Sequence, residues 1–274
     1  MPGMSAQKIP AVLAIAGSDP SGGAGAQADI KTFSAFRCYG MAAITAITVQ
    51  NTHGVLAVQP LAPELVAAQI DAVFADAAPA AVKIGMLATR EIAEAVAGAL
   101  ERSAARAVVV DPVLAATRGA PLATQGLAEA ILSRLLPLAA LITPNLAEAA
   151  VLTGAPLARG VEEMAAQAHM LVARGARAVL VKGGHLAGEP ADVLHDGREV
   201  RIFPGRRVET RHTHGTGCAL SSAVAAHLAQ GANLPEAVAD ARRWLEDALA
   251  AADELAVGRG AGPPHHFFEL WRGA

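Results

Sequence analysis

Short apolar runs alternate along this chain with longer stretches of helical period, and this alternation constrains the fold more than any other feature. Runs at 12–16, 43–49, 81–84, 107–110, 139–142 and 178–181 read as strands. Stretches at 27–36, 63–74, 91–102, 127–135 and 161–173 read as helices. Strands separated by helices pair in parallel through right-handed crossovers, which leaves helices on both faces of one sheet. Apolar residues make up 53% of the chain and aromatics only 3%. The core must therefore be built from Ala, Val, Leu and Ile, as strands buried on both faces require.

After Lys182 the rhythm changes. Runs at 191–194 and 199–203 flank His195-Asp196-Gly197-Arg198, which reads as an antiparallel hairpin with a D-G turn at the sheet edge. Helices follow at 219–230 and 234–255. With no internal repeat, long linker or composition break, the expectation is one α/β domain over 1–274, a three-layer αβα sandwich. A domain of this size buries roughly three quarters of its unfolded surface and needs no staples.

Cys38 and Cys218, far apart in sequence, suit a reduced, cytoplasmic setting. The net charge of -3 arises from scattered residues, which predicts neither a nucleic-acid surface nor a polybasic membrane anchor. Each apolar run breaks well before the roughly 20 residues of a spanning helix. Lys8 and the run 9–16 imitate a short signal peptide, but cleavage there would sever the first strand from the loop it presents, so a strand is expected.

That loop, Gly17-Ser18-Asp19-Pro20-Ser21-Gly22-Gly23-Ala24-Gly25, joins strand to helix, and its glycines would let backbone N–H groups approach a ligand closely. Residues 23–28 fit a G-x-G-x-x-A dinucleotide pattern, yet no Asp or Glu lies between Asp29 and Glu64 to hold a ribose. A Walker A loop also fails, because Ile30 stands where glycine must precede Lys31-Thr32.

A second anion-binding candidate is Thr213-His214-Gly215-Thr216-Gly217-Cys218, which runs straight into an apolar helix. Free N–H groups and the dipole at a helix start favour a phosphate. The same field is expected to lower the pKa of Cys218 and let it take a proton from a substrate hydroxyl. The competing reading is a small cysteine packed at a helix start.

Ligands of open α/β sheets collect beyond the carboxyl ends of the strands. There the chain carries Asp111-Pro112-Val113, Thr143-Pro144-Asn145 with Glu148 one turn on, and Lys182-Gly183-Gly184-His185. Asp111 and Glu148 could hold magnesium largely through water. Alternatively, Asp111 forms a turn and Asn145 with Glu148 caps a helix. Lys182 is one of four lysines, with Lys8, Lys31 and Lys83, and its position favours a phosphate contact. Gln50, after another strand, carries an amide that donates and accepts, as an aminopyrimidine edge requires.

Residues 15–32, IAGSDPSGGAGAQADIKT, closely resemble the opening of hydroxymethylpyrimidine/phosphomethylpyrimidine kinases. The resemblance recurs at 45–52, Lys83-Ile84-Gly85-Met86-Leu87, Asp111-Pro112-Val113, 143–149, 182–185, 213–218 and His266-Phe267-Phe268, and so covers nearly the whole chain. It implies a ribokinase-like sandwich, a homodimer, that uses ATP with Mg2+ and a monovalent cation. Its activity would be phosphorylation of a hydroxymethylpyrimidine and then of the monophosphate, in thiamin biosynthesis. By the same matching Gln50, Asp29, Gly17, Ala24, Met86 and Val113 would line the pyrimidine pocket. Asn145, Lys182 and Thr213 would serve the nucleotide, Asp111 and Glu148 the metal, and Gly215, Thr216, Gly217 and Cys218 the transfer itself. Ribokinase relatives mostly carry Asp where Cys218 stands, which supports Cys218 as the base. One departure is Thr117-Arg118, where the family often has Lys-Ser. Arginine's planar fork grips phosphate differently, so the second phosphorylation is expected to differ in rate. The tail 260–268 reads as packing.

Three alternatives remain at this level: a pyridoxal-type kinase on the same fold, a pyrimidine-binding sensor without catalysis, and a nicotinamide oxidoreductase. Joint presence of Asp111, Glu148, Lys182 and Cys218 argues against the sensor, and the missing ribose acid against the oxidoreductase.

Overall fold

The computed structural model describes residues 9–115 and 124–271. Lys8 and the Thr117-Arg118 departure lie outside the described residues. The expected sheet is present, with nine strands among the described residues in the order β3-β2-β1-β4-β5-β6-β7-β8-β9. Six are parallel: β1 (Ala11–Ser18), β2 (Tyr39–Asn51), β4 (Ala81–Ile84), β5 (Val108–Val110), β6 (Leu141–Ile142) and β7 (Val179–Val181). The anticipated hairpin forms one antiparallel edge from β8 (Ala191–His195) and β9 (Val200–Pro204), with Asp196 Oδ1 accepting from Arg198 N and Glu199 N in the turn.

The other edge differs from expectation. Residues after Gln50 turn back as β3 (Gly54–Pro60), antiparallel to β2. Leu56, Ala57 and Gln59 are exposed, so this strand lacks the buried, near-continuous apolar run that marks the central ones.

Alternation along the strands sorts the core into two layers. Leu13, Ile15, Val82, Ile84, Val108 and Val110 face one side. They meet α2 (Pro63–Asp76), α3 (Arg90–Arg102), α4 (Leu127–Ala130), α5 (Leu146–Thr153) and α6 (Val161–Ala173). Val12, Ala14, Val109 and Leu180 face the other side. They meet α1 (Gly25–Ala35), α7 (Thr216–Ala229) and α8 (Leu234–Ala250). Six of the eight buried residues of α7 are alanine or serine. Such small side chains let its axis lie close to the sheet and bring its first turn against the strand ends.

Two helix boundaries shift. The stretch 127–135 leaves α-helical geometry at Ile131 and ends in a π turn, with Leu136 N donating to Ile131 O. The last long helix stops at Ala250 and a 3-10 turn covers Ala252–Leu255. Among the described residues no helix is long and apolar enough to cross a membrane. Both cysteines are free thiols.

Candidate functional site

The parallel strands all end at one edge of the sheet, so the segments that follow them converge there: Gly17–Asp19, Gln50, Gly85-Met86, Asp111–Val113, Asn145 and Lys182. Asn145 and Lys182 are themselves paired as an isolated parallel bridge.

The Gly-rich loop is organised from within. The buried Asp19 carboxylate accepts from Ser21 N at 2.9 Å, Ser21 Oγ at 2.7 Å, Gly23 N at 3.2 Å and Ala24 N at 2.9 Å. The N–H groups expected to meet a ligand here therefore bind a side chain of the loop itself. Gly25 holds a φ of +59°, and a Cβ there would overlap Gly17 O.

The start of α7 is different. Its N-cap, Gly215, has a left-handed φ of 74° and supplies no side-chain cap. First-turn N–H groups left uncapped are an anion site in waiting. A Cβ on Gly215 would strike Gly23 O, so glycine here lets the two loops touch. A Cβ on Gly217 would lie 3.2 Å from Lys182 Nζ and 3.7 Å from Asp111 Oδ2. Helix start and lysine thus face the same spot.

Lys182 Nζ donates to Asp111 Oδ1 at 2.6 Å. Thr143 Oγ1 donates to the same carboxylate oxygen at 3.2 Å, and Ser221 Oγ to Oδ2 at 3.4 Å. Burial lowers the Lys182 pKa, but the charges of Asp111 and Glu148 outweigh it and leave the ammonium held above its ordinary value. Glu148 moves up to about 7, chiefly through burial, with Lys182 opposing and Asp111 adding to the rise.

Asn145 and Glu148 form a capping box on α5. Asn145 Oδ1 accepts from Glu148 N at 2.9 Å, and Glu148 Oε2 accepts from Asn145 N at 2.8 Å. The capping alternative weighed for this pair is thus realised. Among the described residues no cluster of three or more His, Cys, Asp or Glu could hold a metal. Asp111 and Glu148 still offer hard oxygens beside the anion site. They fit a magnesium ion that keeps its waters, not a closed protein cage.

One expectation is corrected. Cys218, half-buried at the start of α7, has its thiol pKa pushed up, not down. Burial is the largest cause, and the nearby Asp29 and Asp111 carboxylates add to it against the opposing Lys83 charge. Asp29, expected at the pyrimidine pocket, is fully buried. Both its oxygens accept from Lys83 Nζ, at 2.8 and 2.9 Å, and Ser222 Oγ donates to Oδ1 at 2.7 Å. Burial lowers the Lys83 pKa, but Asp29 overcomes this and holds the ammonium charged.

The remaining residues expected around a heterocycle separate into two groups. Met86 and Val113 share a small apolar cluster with Ala46, and a Cβ on Gly17 would overlap Met86 Cε. Gln50 stands at the end of β2, its terminal amide 2.9 Å from His214 Nε2. Ala24 touches the Gly215 turn, where Thr213 O accepts from Thr216 Oγ1 at 2.8 Å. Sequence reading did not single out Asp19, His214, Lys83 or Ser222. Only Asp19 carried a local signal, the Asp followed two residues on by a Ser that donates back to it.

A family model described as phosphomethylpyrimidine kinase matches residues 19–265. The hydroxymethylpyrimidine/phosphomethylpyrimidine kinase of Rhizobium meliloti (strain 1021) is 53% identical over 261 residues, covering 95% of this chain and 98% of that protein. The crystal structure of phosphomethylpyrimidine kinase from Clostridium difficile 630 is 42% identical, with a TM-score of 0.78 over 88% of this chain and 99% of that one. Pyridoxal kinase from Staphylococcus aureus, in complex with AMP-PCP and pyridoxal, is 34% identical, with a TM-score of 0.86 over 95% and 94% of the two chains. With the family pattern matched across nearly all of its length and the relative from Rhizobium meliloti aligned end to end, this chain belongs to the phosphomethylpyrimidine kinase family.

Proposed function

We propose that this protein transfers the γ-phosphoryl group of ATP to the hydroxymethyl group of 4-amino-5-hydroxymethyl-2-methylpyrimidine, and then to the resulting monophosphate, in thiamin biosynthesis. The observation that carries the reading is the uncapped start of α7 facing the same spot as Lys182 Nζ. Backbone N–H groups and an ammonium converge there, with a carboxylate alongside. Phosphoryl transfer is mostly positioning and charge stabilisation, and this junction supplies both.

In this reading Gly215, Thr216 and Gly217 donate to the transferring phosphoryl oxygens, Lys182 neutralises them, and Asn145 and Thr213 border the nucleotide. Asp111 and Glu148 would hold magnesium through water, where the ion would supply positive charge to the phosphates. Gln50 reads the aminopyrimidine edge, while Gly17, Ala24, Met86 and Val113 supply the walls. The hydroxyl oxygen forms its bond to the γ-phosphorus as the bond to the β-phosphate oxygen breaks, and ADP leaves with that electron pair. The hydroxyl proton passes to the Cys218 sulfur. Because the thiol pKa is raised, only a minor thiolate population can accept it near neutral pH.

Asp29 joins Gln50 at the pyrimidine pocket, with Lys83 as its buried counter-charge. We further propose a cytoplasmic homodimer acting as one domain over 1–274. Two free thiols are consistent with a reduced compartment, and exposed Ile47, Val49 and Leu56 on the β2–β3 edge give an apolar face for a second copy.

A pyridoxal kinase is the second reading, favoured by the likeness to the pyridoxal complex. The deciding experiment is mass-spectrometric detection of products after incubation with magnesium-ATP and, separately, hydroxymethylpyrimidine, its monophosphate and pyridoxal. Products from both pyrimidines support the proposal. Product from pyridoxal alone replaces it with the second reading.

A further inference from the structure

Three side chains from distant parts of the chain meet at one atom. His214 Nε2 lies 2.8 Å from Asp19 Oδ2 and 2.9 Å from Gln50 Nε2. They belong to the Gly-rich loop, the end of β2 and the turn into α7. His214 is held from behind, its backbone N–H donating to Gly262 O at 3.1 Å. A Cβ on Gly23 would stand 2.5 Å from the imidazole Cδ2, so glycine at 23 makes room for the ring.

The protons at this junction determine which way the Gln50 amide points. Asp19 only accepts: it already receives four hydrogen bonds from the loop. Burial raises its pKa, but bonds from His214 and Ser21 outweigh that and keep it below the ordinary value. His214 Nε2 must therefore carry a hydrogen and donate to Asp19. A nitrogen that donates cannot also accept from an amide NH2. The oxygen and nitrogen of a glutamine amide are distinguished only by their partners, so these protons require the amide turned over, with the carbonyl oxygen of Gln50 in the Nε2 position facing His214. The opposite side of the amide agrees. Thr48 Oγ1 spends its hydrogen on Ser18 O at 2.9 Å and lies 3.4 Å from the Gln50 Oε1 position, so once the amide is turned a Thr48 lone pair accepts from the NH2 there.

We infer that His214 is a positioning residue that sets substrate specificity: held by Asp19, it locks the Gln50 amide with its oxygen on the His214 side and its NH2 on the Thr48 side. The inference rests on the proposal that Gln50 reads the heterocycle edge. A locked amide accepts from an exocyclic amino group and donates to the adjacent ring nitrogen, in that order only. A 4-oxo analogue presents the reverse order, an acceptor beside a ring N–H, and meets unmatched groups at both positions.

The test compares kcat/KM for hydroxymethylpyrimidine and for its 4-oxo analogue in the wild type, His214→Leu, His214→Gln and Gln50→Leu, with thermal unfolding as the check on folding. His214→Leu frees the amide to turn, and the preference for the amino compound should fall about tenfold, the worth of one hydrogen bond. His214→Gln keeps an N–H at the Nε2 position and should restore most of the preference. If His214→Leu does not fold, His214→Asn, too short to reach that position, carries the same comparison. An unchanged preference in the His214→Leu or His214→Asn protein overturns the inference alone. An unchanged preference in Gln50→Leu overturns the assignment of Gln50 and the inference with it.

Discussion

Lys182 Nζ stands 2.6 Å from Asp111 Oδ1, below the uncapped start of α7, and this pair couples the stability of the strand ends to the chemistry above them. Asp111 is buried and Lys182 nearly so, so each charge depends on the other. Replacing Lys182 with Met should leave Asp111 and Glu148 without a counter-charge, at a cost of about 3 kcal/mol in folding stability. It should also remove a phosphate contact, so that kcat/KM for ATP falls about a hundredfold or more. Urea unfolding and steady-state kinetics on the same protein check the two parts separately. Full activity in Lys182→Met would remove Lys182 from the phosphate site.

The corrected sign of the Cys218 shift gives a pH prediction. The thiolate is the proton acceptor, and its pKa lies above the ordinary thiol value. Below that pKa the reactive fraction grows about tenfold per pH unit. The wild-type kcat/KM for the pyrimidine should therefore climb through pH 7 to 9 without levelling off. Cys218→Ala should be slower by about a hundredfold and lose this rise. A profile that is flat above pH 7 in the wild type would leave the α7 start to carry the reaction without a base.

Much of this arrangement could be read from the chain, and the parts that could not share a physical cause. The central strands were legible because strands buried on both faces write themselves as unbroken apolar runs such as Val108–Val110. Edge strand β3 was not, since half its side chains meet solvent. Loop and strand-end residues such as Lys182 and Asp111 follow from the rule that parallel strands expose their carboxyl ends together. Pairings across the fold leave no local trace. His214 meets Asp19 across 195 positions, and Asp29 meets Lys83 across 54. The helix-start argument for Cys218 erred for the same reason, because it counted the field of α7 and not the burial or the carboxylates of Asp29 and Asp111.

The Lys83–Asp29 pair yields a stability prediction distinct from any effect on the pocket. Both side chains are fully excluded from solvent. Lys83→Met or Asp29→Leu alone should cost about 3 to 5 kcal/mol, because each leaves one buried charge uncompensated. The double substitution should recover most of that loss, as apolar replacements of a buried pair commonly do. Urea unfolding of the two single variants and the double closes the cycle. If Asp29→Leu were as stable as the wild type, the pair would carry no folding energy, and weakened pyrimidine binding in that protein would leave Asp29 with its pocket role alone.

Glu148 sets a pH dependence of folding that should appear in the protein without nucleotide. Its carboxyl rises from 4.5 to about 7 in the fold, mainly through burial. The folded state therefore binds more protons than the unfolded one between those values, and stability must fall as pH rises across that window. Glu148's contribution is fully present below pH 4.5 and lost above 7, a change of about 3 kcal/mol. Glu148→Gln keeps an oxygen to accept from Asn145 N but cannot titrate. The difference between wild-type and Glu148→Gln unfolding free energies should thus slope across pH 4.5 to 7 and be level above it. Parallel profiles for the two proteins would mean that Lys182 compensates Glu148 completely. The carboxylate would then carry no excess negative charge for a magnesium ion to relieve.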